Sequence, residues 1–91
     1  NSRMQIEDRL KQFIAQQLLF SDEGFNYSPD DSFMQKGIID SLGIMELVTF
    51  AGKEFGITIE PDEVTPDNFD SINRLATFIR RKLNSAAAAV A

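Results

Sequence analysis

Gly37-Ile38-Ile39-Asp40-Ser41-Leu42-Gly43-Ile44-Met45-Glu46-Leu47-Val48-Thr49-Phe50-Ala51-Gly52-Lys53-Glu54-Phe55 is the stretch that decides the fold. Ile44, Leu47, Val48, Ala51 and Phe55 recur at the spacing of one helix face, which predicts a helix over about 41–55. Asp40 can cap its N-terminus by accepting a hydrogen bond from a first-turn N–H. Gly56 can stop it, because glycine enters the left-handed conformation that ends many helices. The Ser41 hydroxyl then stands at the helix start, where free backbone N–H groups and the positive end of the helix dipole favour negative charge. Such a position suits a phosphodiester, the dipole contributing about 0.3–1 kcal/mol at an exposed site. Taken alone, Asp-Ser at this boundary reads as an ordinary cap.

Working outward, Ile6, Leu10, Phe13, Ile14 and Leu18 follow a helical stripe and predict a first helix over about 4–20. The loop from about 21 to 39 is long for a small domain. It carries Phe25, Tyr27, Phe33, Met34, Ile38 and Ile39, so it is expected to pack down onto the core. Downstream, Ile57-Thr58-Ile59 is β-branched and extended, with no second strand to pair with. Pro66 can open a brief helical turn over about 65–69. Asp70 or Ser71 can cap a closing helix whose apolar face is Ile72, Leu75, Ala76, Ile79 and Leu83. Arg80, Arg81 and Lys82 are expected in its last turn, where cations complement the dipole, with Asn84-Ser85 ending it. The predicted architecture is all-α: a four-helix bundle with three long helices, one short helix and a long first loop. One domain is expected over 1–85, with 86–91 a disordered Ala-rich tail. Asn1-Ser2-Arg3 precede the first Met and read as a cloning remnant.

The composition limits what such a bundle can do. The 91 residues suit a single domain, and 43% hydrophobic with 25% charged is ordinary for a globular one. A formal net charge of −5 opposes binding to nucleic acid or an anionic membrane and favours basic protein partners. The chain has no Cys and no His, which removes disulfides, the usual zinc ligands and a Ser-His-Asp nucleophile system. No catalytic residue and no metal site are therefore assigned, and the acids around Asp30 and Asp62 lack the spacing of a calcium loop. No apolar run approaches the roughly 20 residues of a membrane span, and the N-terminus has no signal pattern, so a cytoplasmic protein is expected. With no base beside it, the Ser41 hydroxyl must be modified by another enzyme rather than act itself.

The segment Phe33 to Phe55 resembles the acyl carrier protein family, whose attachment site reads Asp-Ser-Leu at the start of the second helix. Asp40, Ser41 and Leu42 match that motif, and Glu46-Leu47 and Glu54-Phe55-Gly56 match the helix behind it. Ile57 to Pro61 is similar to the loop before the family's short third helix, and Asn68-Phe69-Asp70-Ser71 to the start of its closing helix. The resemblance covers about residues 6–83. It implies that a phosphopantetheinyl transferase attaches a covalent 4′-phosphopantetheine arm to Ser41, and that the arm's thiol holds an acyl or aminoacyl group as a thioester. Such an arm would bring the sulfur that this chain lacks. Gly43 stands where fatty-acid carriers usually place an acid, and Lys53 lies beside Glu54. The pattern looks more like free-standing carriers of dedicated pathways, served by an acyl- or aminoacyl-loading ligase and acyl-processing enzymes. The cargo stays open between fatty acyl, aminoacyl and polyketide units, and a monomer is expected for a shuttle.

Leu42 and Met45 lie off the apolar stripe of this helix, on the Ser41 side. Either the core wraps wider there, or they form an exposed patch that Asp40, Glu46 and Glu54 ring with negative charge for docking basic partners. The alternative function is a small helical protein-interaction module with no prosthetic group. An enzyme in its own right finds no constellation to support it.

Overall fold

The computed structural model describes the backbone of residues 5–90 and the side chains of residues 5–85. Helix α1 spans Ile6–Phe13 and continues as a π-helical turn over Ile14–Leu18. Helix α2 spans Ser41–Phe55, α3 Pro66–Phe69 and α4 Ile72–Val90. A 3-10 turn over Pro61–Glu63 precedes α3. Among the described residues there is no strand, and the all-α bundle with a long first loop is as the apolar periodicity predicts.

The core is built from every helix and from the loop. Leu10 of α1, Ile14 of the π-helical turn, Leu47 and Ala51 of α2, Phe69 of α3, and Ile72, Leu75, Ala76, Phe78 and Ile79 of α4 are buried together. Phe33, Ile38 and Ile39 from the loop join them, so that segment packs down as expected. Tyr27 and Met34 do not; both are exposed. Phe13 stacks on Phe50 with ring centroids 4.1 Å apart, tying α1 to α2. Phe50 lies outside the stripe read from sequence.

The end of α1 departs from the predicted regular helix. Leu19 N–H bonds Ile14 O at 2.9 Å, and Ser21 N–H bonds Ala15 O at 2.8 Å. The wider turn places Leu19 beneath Ile14, so that Leu18 and Leu19 both pack against the core. Phe20 closes the turn in the left-handed region, with φ 51°. Residue 4, the predicted start of this helix, lies outside the described residues.

Helix α4 also corrects the sequence reading. Asn84-Ser85 does not end it; the backbone is helical through Val90. The run of alanines from 86 carries the highest intrinsic helix propensity, and the backbone of residues 86–90 continues α4, while Ala91 lies outside the described residues. Arg80, Arg81 and Lys82 are therefore mid-helix and have no last-turn dipole role. They reach across to other elements: Arg80 forks onto both carboxylate oxygens of Glu7 at 2.6 and 2.8 Å, Lys82 pairs with Glu63 at 2.9 Å, and Arg81 bonds Asn68 Oδ1 at 2.9 Å.

Candidate functional site at the start of helix α2

Asp40 is extended, with φ −94° and ψ −176°, and its Oδ1 accepts from Gly43 N–H at 2.9 Å. Its carbonyl accepts from Ile44 N–H at 3.0 Å. Ser41 is thus the first helical residue, and its side chain is exposed. The N–H groups of Ser41 and Leu42 have no partner among the described residues and point out of the helix start. At the far end, Gly56 is left-handed with φ 64°, and Ile57 N–H returns to Gly52 O at 3.2 Å, closing the helix.

Gly43 has a structural reason that the sequence reading missed. A Cβ there would lie 2.4 Å from Ile39 Cγ2. Ile39 is 5% exposed, so the buried side chain just before the cap sits directly on the first turn of α2. Any acid at this position would collide with it.

The remaining candidates fall around Ser41. Leu42 is 72% exposed and Met45 55% exposed. The core does not wrap to cover them. Glu46 is exposed on the same face. Glu54 lines the same groove as Leu42, Met45 and Glu46, and its carboxylate pairs there with Arg9 of α1. On the other side of Ser41 a groove of about 600 Å³ runs between α2 and the segment before α4, with Met34, Ile44, Met45, Val64, Phe69 and Asp70 on its walls. Of these, only Met45 had a site role in the sequence reading; Met34, Val64 and Asp70 were not part of the α2 stripe either. They come to Ser41 from the loop before it and from the segment more than 20 residues after it, and no local motif marks them.

Asp70 in particular was read only as a cap. The cap of α4 is Ser71, whose Oγ accepts from Arg74 N–H at 3.1 Å. The Asp70 carboxylate instead faces the loop, accepting from Met34 N–H at 3.1 Å and from the Ser32 hydroxyl.

Residues 8–79 match the family described as "Phosphopantetheine attachment site". The chain belongs to that family. It is also similar to a D-alanyl carrier protein of Abiotrophia defectiva, 28% identical over 65 residues, which are 71% of this chain and 82% of that protein. A carrier of this family takes a covalent 4′-phosphopantetheine arm, carries an acyl or aminoacyl group on it, and serves as substrate for phosphopantetheinyl transferases and ligases rather than as an enzyme. The residues around α2 fit such an arm: an exposed hydroxyl with two free N–H groups at a helix start, beside a mostly apolar groove. Among the described residues no helix is long and apolar enough to cross a membrane.

Proposed function

We propose that Ser41 is the residue that takes the phosphopantetheine arm. The observation that carries this is the exposed Ser41 hydroxyl at the first position of α2, directly behind a satisfied Asp40 cap. The arm supplies a terminal thiol for thioester chemistry, which a chain without cysteine does not have. The protein's own residues position the attachment point. Asp40 sets where α2 starts, Ile39 and Gly43 lock the approach to it, and the free amides of the first turn favour the negative charge of the linkage.

Leu42 and Met45, flanked by Asp40 and Glu46, form the surface on which partner enzymes dock. Their exposure supports this reading. The carboxylates would steer a basic partner and the apolar side chains would hold it briefly, as suits a shuttle visiting several enzymes. Likeness to a D-alanyl carrier favours an aminoacyl cargo, loaded by an adenylating ligase, over a fatty acyl one. A monomeric cytoplasmic protein, in reach of coenzyme A and such a ligase, completes the proposal.

The test is intact mass after incubation with coenzyme A and a broad-specificity phosphopantetheinyl transferase. Wild type should gain one phosphopantetheine and Ser41→Ala none. A folded wild type that gains nothing would favour an interaction module without a prosthetic group. Incubating the loaded protein with ATP, D-alanine and a D-alanine-activating ligase then tests the cargo.

A further inference from the structure

Asp70 lies 29 positions beyond Ser41 in the chain, yet it holds the loop that leads into the site. Its carbonyl accepts from Phe33 N–H at 3.0 Å, its Oδ1 from Met34 N–H at 3.1 Å, and its Oδ2 from the Ser32 hydroxyl. Three consecutive residues of the loop are thus tied to one residue at the junction of α3 and α4. The tie then runs forward to Ser41. The Ser32 Oγ accepts from Gln35 N–H at 3.1 Å, and Ser32 O accepts from Lys36 N–H at 3.0 Å, closing a turn. Phe33, fully buried, accepts from Ile38 N–H at 2.8 Å and Ile39 N–H at 3.3 Å through its carbonyl. Ile39 seats against Gly43, and Ser41 follows Asp40.

We propose that Asp70 is a positioning residue for Ser41: its carboxylate fixes the Ser32–Met34 turn, which fixes Ile38-Ile39 and so the direction in which the α2 start presents its hydroxyl to a modifying enzyme. This rests on Ser41 being the attachment residue. The side chain contributes two of the three bonds, and it is half-buried in the groove wall where no other described side chain bonds this turn from outside the loop. Loss of the carboxylate leaves the Met34 N–H without its acceptor and frees the Ser32 hydroxyl. The turn then samples positions in which the hydroxyl is misplaced, and the transferase meets only the fraction that is competent.

The experiment compares Asp70→Ala, Asp70→Asn and Ser71→Ala with wild type, reading transferase kcat and KM, thermal midpoint, and amide exchange at Ile38 and Ile39. Ser71→Ala is the control: it removes the neighbouring cap bond to Arg74 without touching the loop. Asp70→Ala should raise KM about threefold to tenfold, by the inverse of the competent fraction, with kcat little changed and faster exchange at Ile38 and Ile39. Ser71→Ala should lower the midpoint with unchanged KM. Asp70→Asn should restore KM, because an amide oxygen still accepts from Met34 N–H and the amide nitrogen can donate to Ser32. The proposal is overturned if Asp70→Ala and Ser71→Ala raise KM alike, if Asp70→Asn is as impaired as Asp70→Ala, or if exchange at Ile38 and Ile39 is unchanged in Asp70→Ala. Absence of loading in wild type would instead refute the attachment reading, and the exchange rates would still decide the role of Asp70.

Discussion

At the scale of single residues, Gly43 shows how a small side chain can be dictated by its neighbour rather than by its own backbone. It sits in a regular helix, where replacing glycine by alanine normally gains about 1 kcal/mol. Here the new Cβ would meet the buried Ile39 side chain at 2.4 Å. Forcing a methyl into a packed site costs about 1–3 kcal/mol, so the clash should outweigh the propensity. Gly43→Ala is expected to lower stability by about 1 kcal/mol, a fall of roughly 4–8 °C in Tm for a domain of this size. Calorimetry checks it, and a rise in Tm would mean that Ile39 moves aside freely. An acid after Asp-Ser-Leu would meet the same Ile39 contact through its Cβ.

Among the elements, the end of α1 and the face of α2 make separate predictions. Phe20 occupies a left-handed conformation that costs a non-glycine residue about 1–2 kcal/mol, and it is 82% exposed, so it contributes little core. Phe20→Gly should therefore stabilise the domain by about 1 kcal/mol, seen as a higher urea midpoint with unchanged m-value. A lower midpoint would show that the ring makes a contact worth more than the strain. On α2, Met45→Glu should change stability by no more than about 0.5 kcal/mol, as is usual for an exposed position, while partner enzymes turn the protein over more slowly. If Tm collapsed instead, Met45 would belong to the core and the docking surface would have to lie elsewhere.

The whole molecule is laced by ion pairs that join distant parts of the chain. Arg80 of α4 holds Glu7 of α1, and its hydrogen bonds keep the Glu7 carboxyl below the ordinary value of 4.5, against the opposing effect of burial. The Glu63 carboxyl is also lowered, first by the Glu60 backbone N–H and then by Lys82. Both groups have a folded pKa below the unfolded one. Their stabilisation is therefore fully present above about pH 4.5 and is lost as pH falls through the lowered folded values. Glu7→Gln should be less stable than wild type at pH 7, by less than about 1 kcal/mol for a pair this open to solvent. That gap should close on acidification below about pH 4. Thermal midpoints measured from pH 7 to pH 3 test this, and a gap that stays constant would mean that the Glu7 charge is not its source.

Much of this protein is local, and what is local the sequence determined. Helix α2 was legible to the residue at both ends, because Asp40 and Gly56 act within a few residues of the turns they cap and the apolar stripe repeats within the helix. Pro66 marked α3 for the same reason. The position of Ser41 follows directly from that boundary. Burial and long-range bonding were decided only by the tertiary structure. Leu42 and Met45 could have faced core or solvent, and the choice rested on where α1 and α3 come to lie. Asp70 and Ser71 are equally good caps on paper. Which of them caps α4, and which is free to hold Ser32 and Met34, depends on a loop more than 30 residues away in sequence that folds back against their junction. Arg80 and Lys82 likewise gain partners from distant segments, since a charge finds its counterpart through space and the sequence records only its place along the chain.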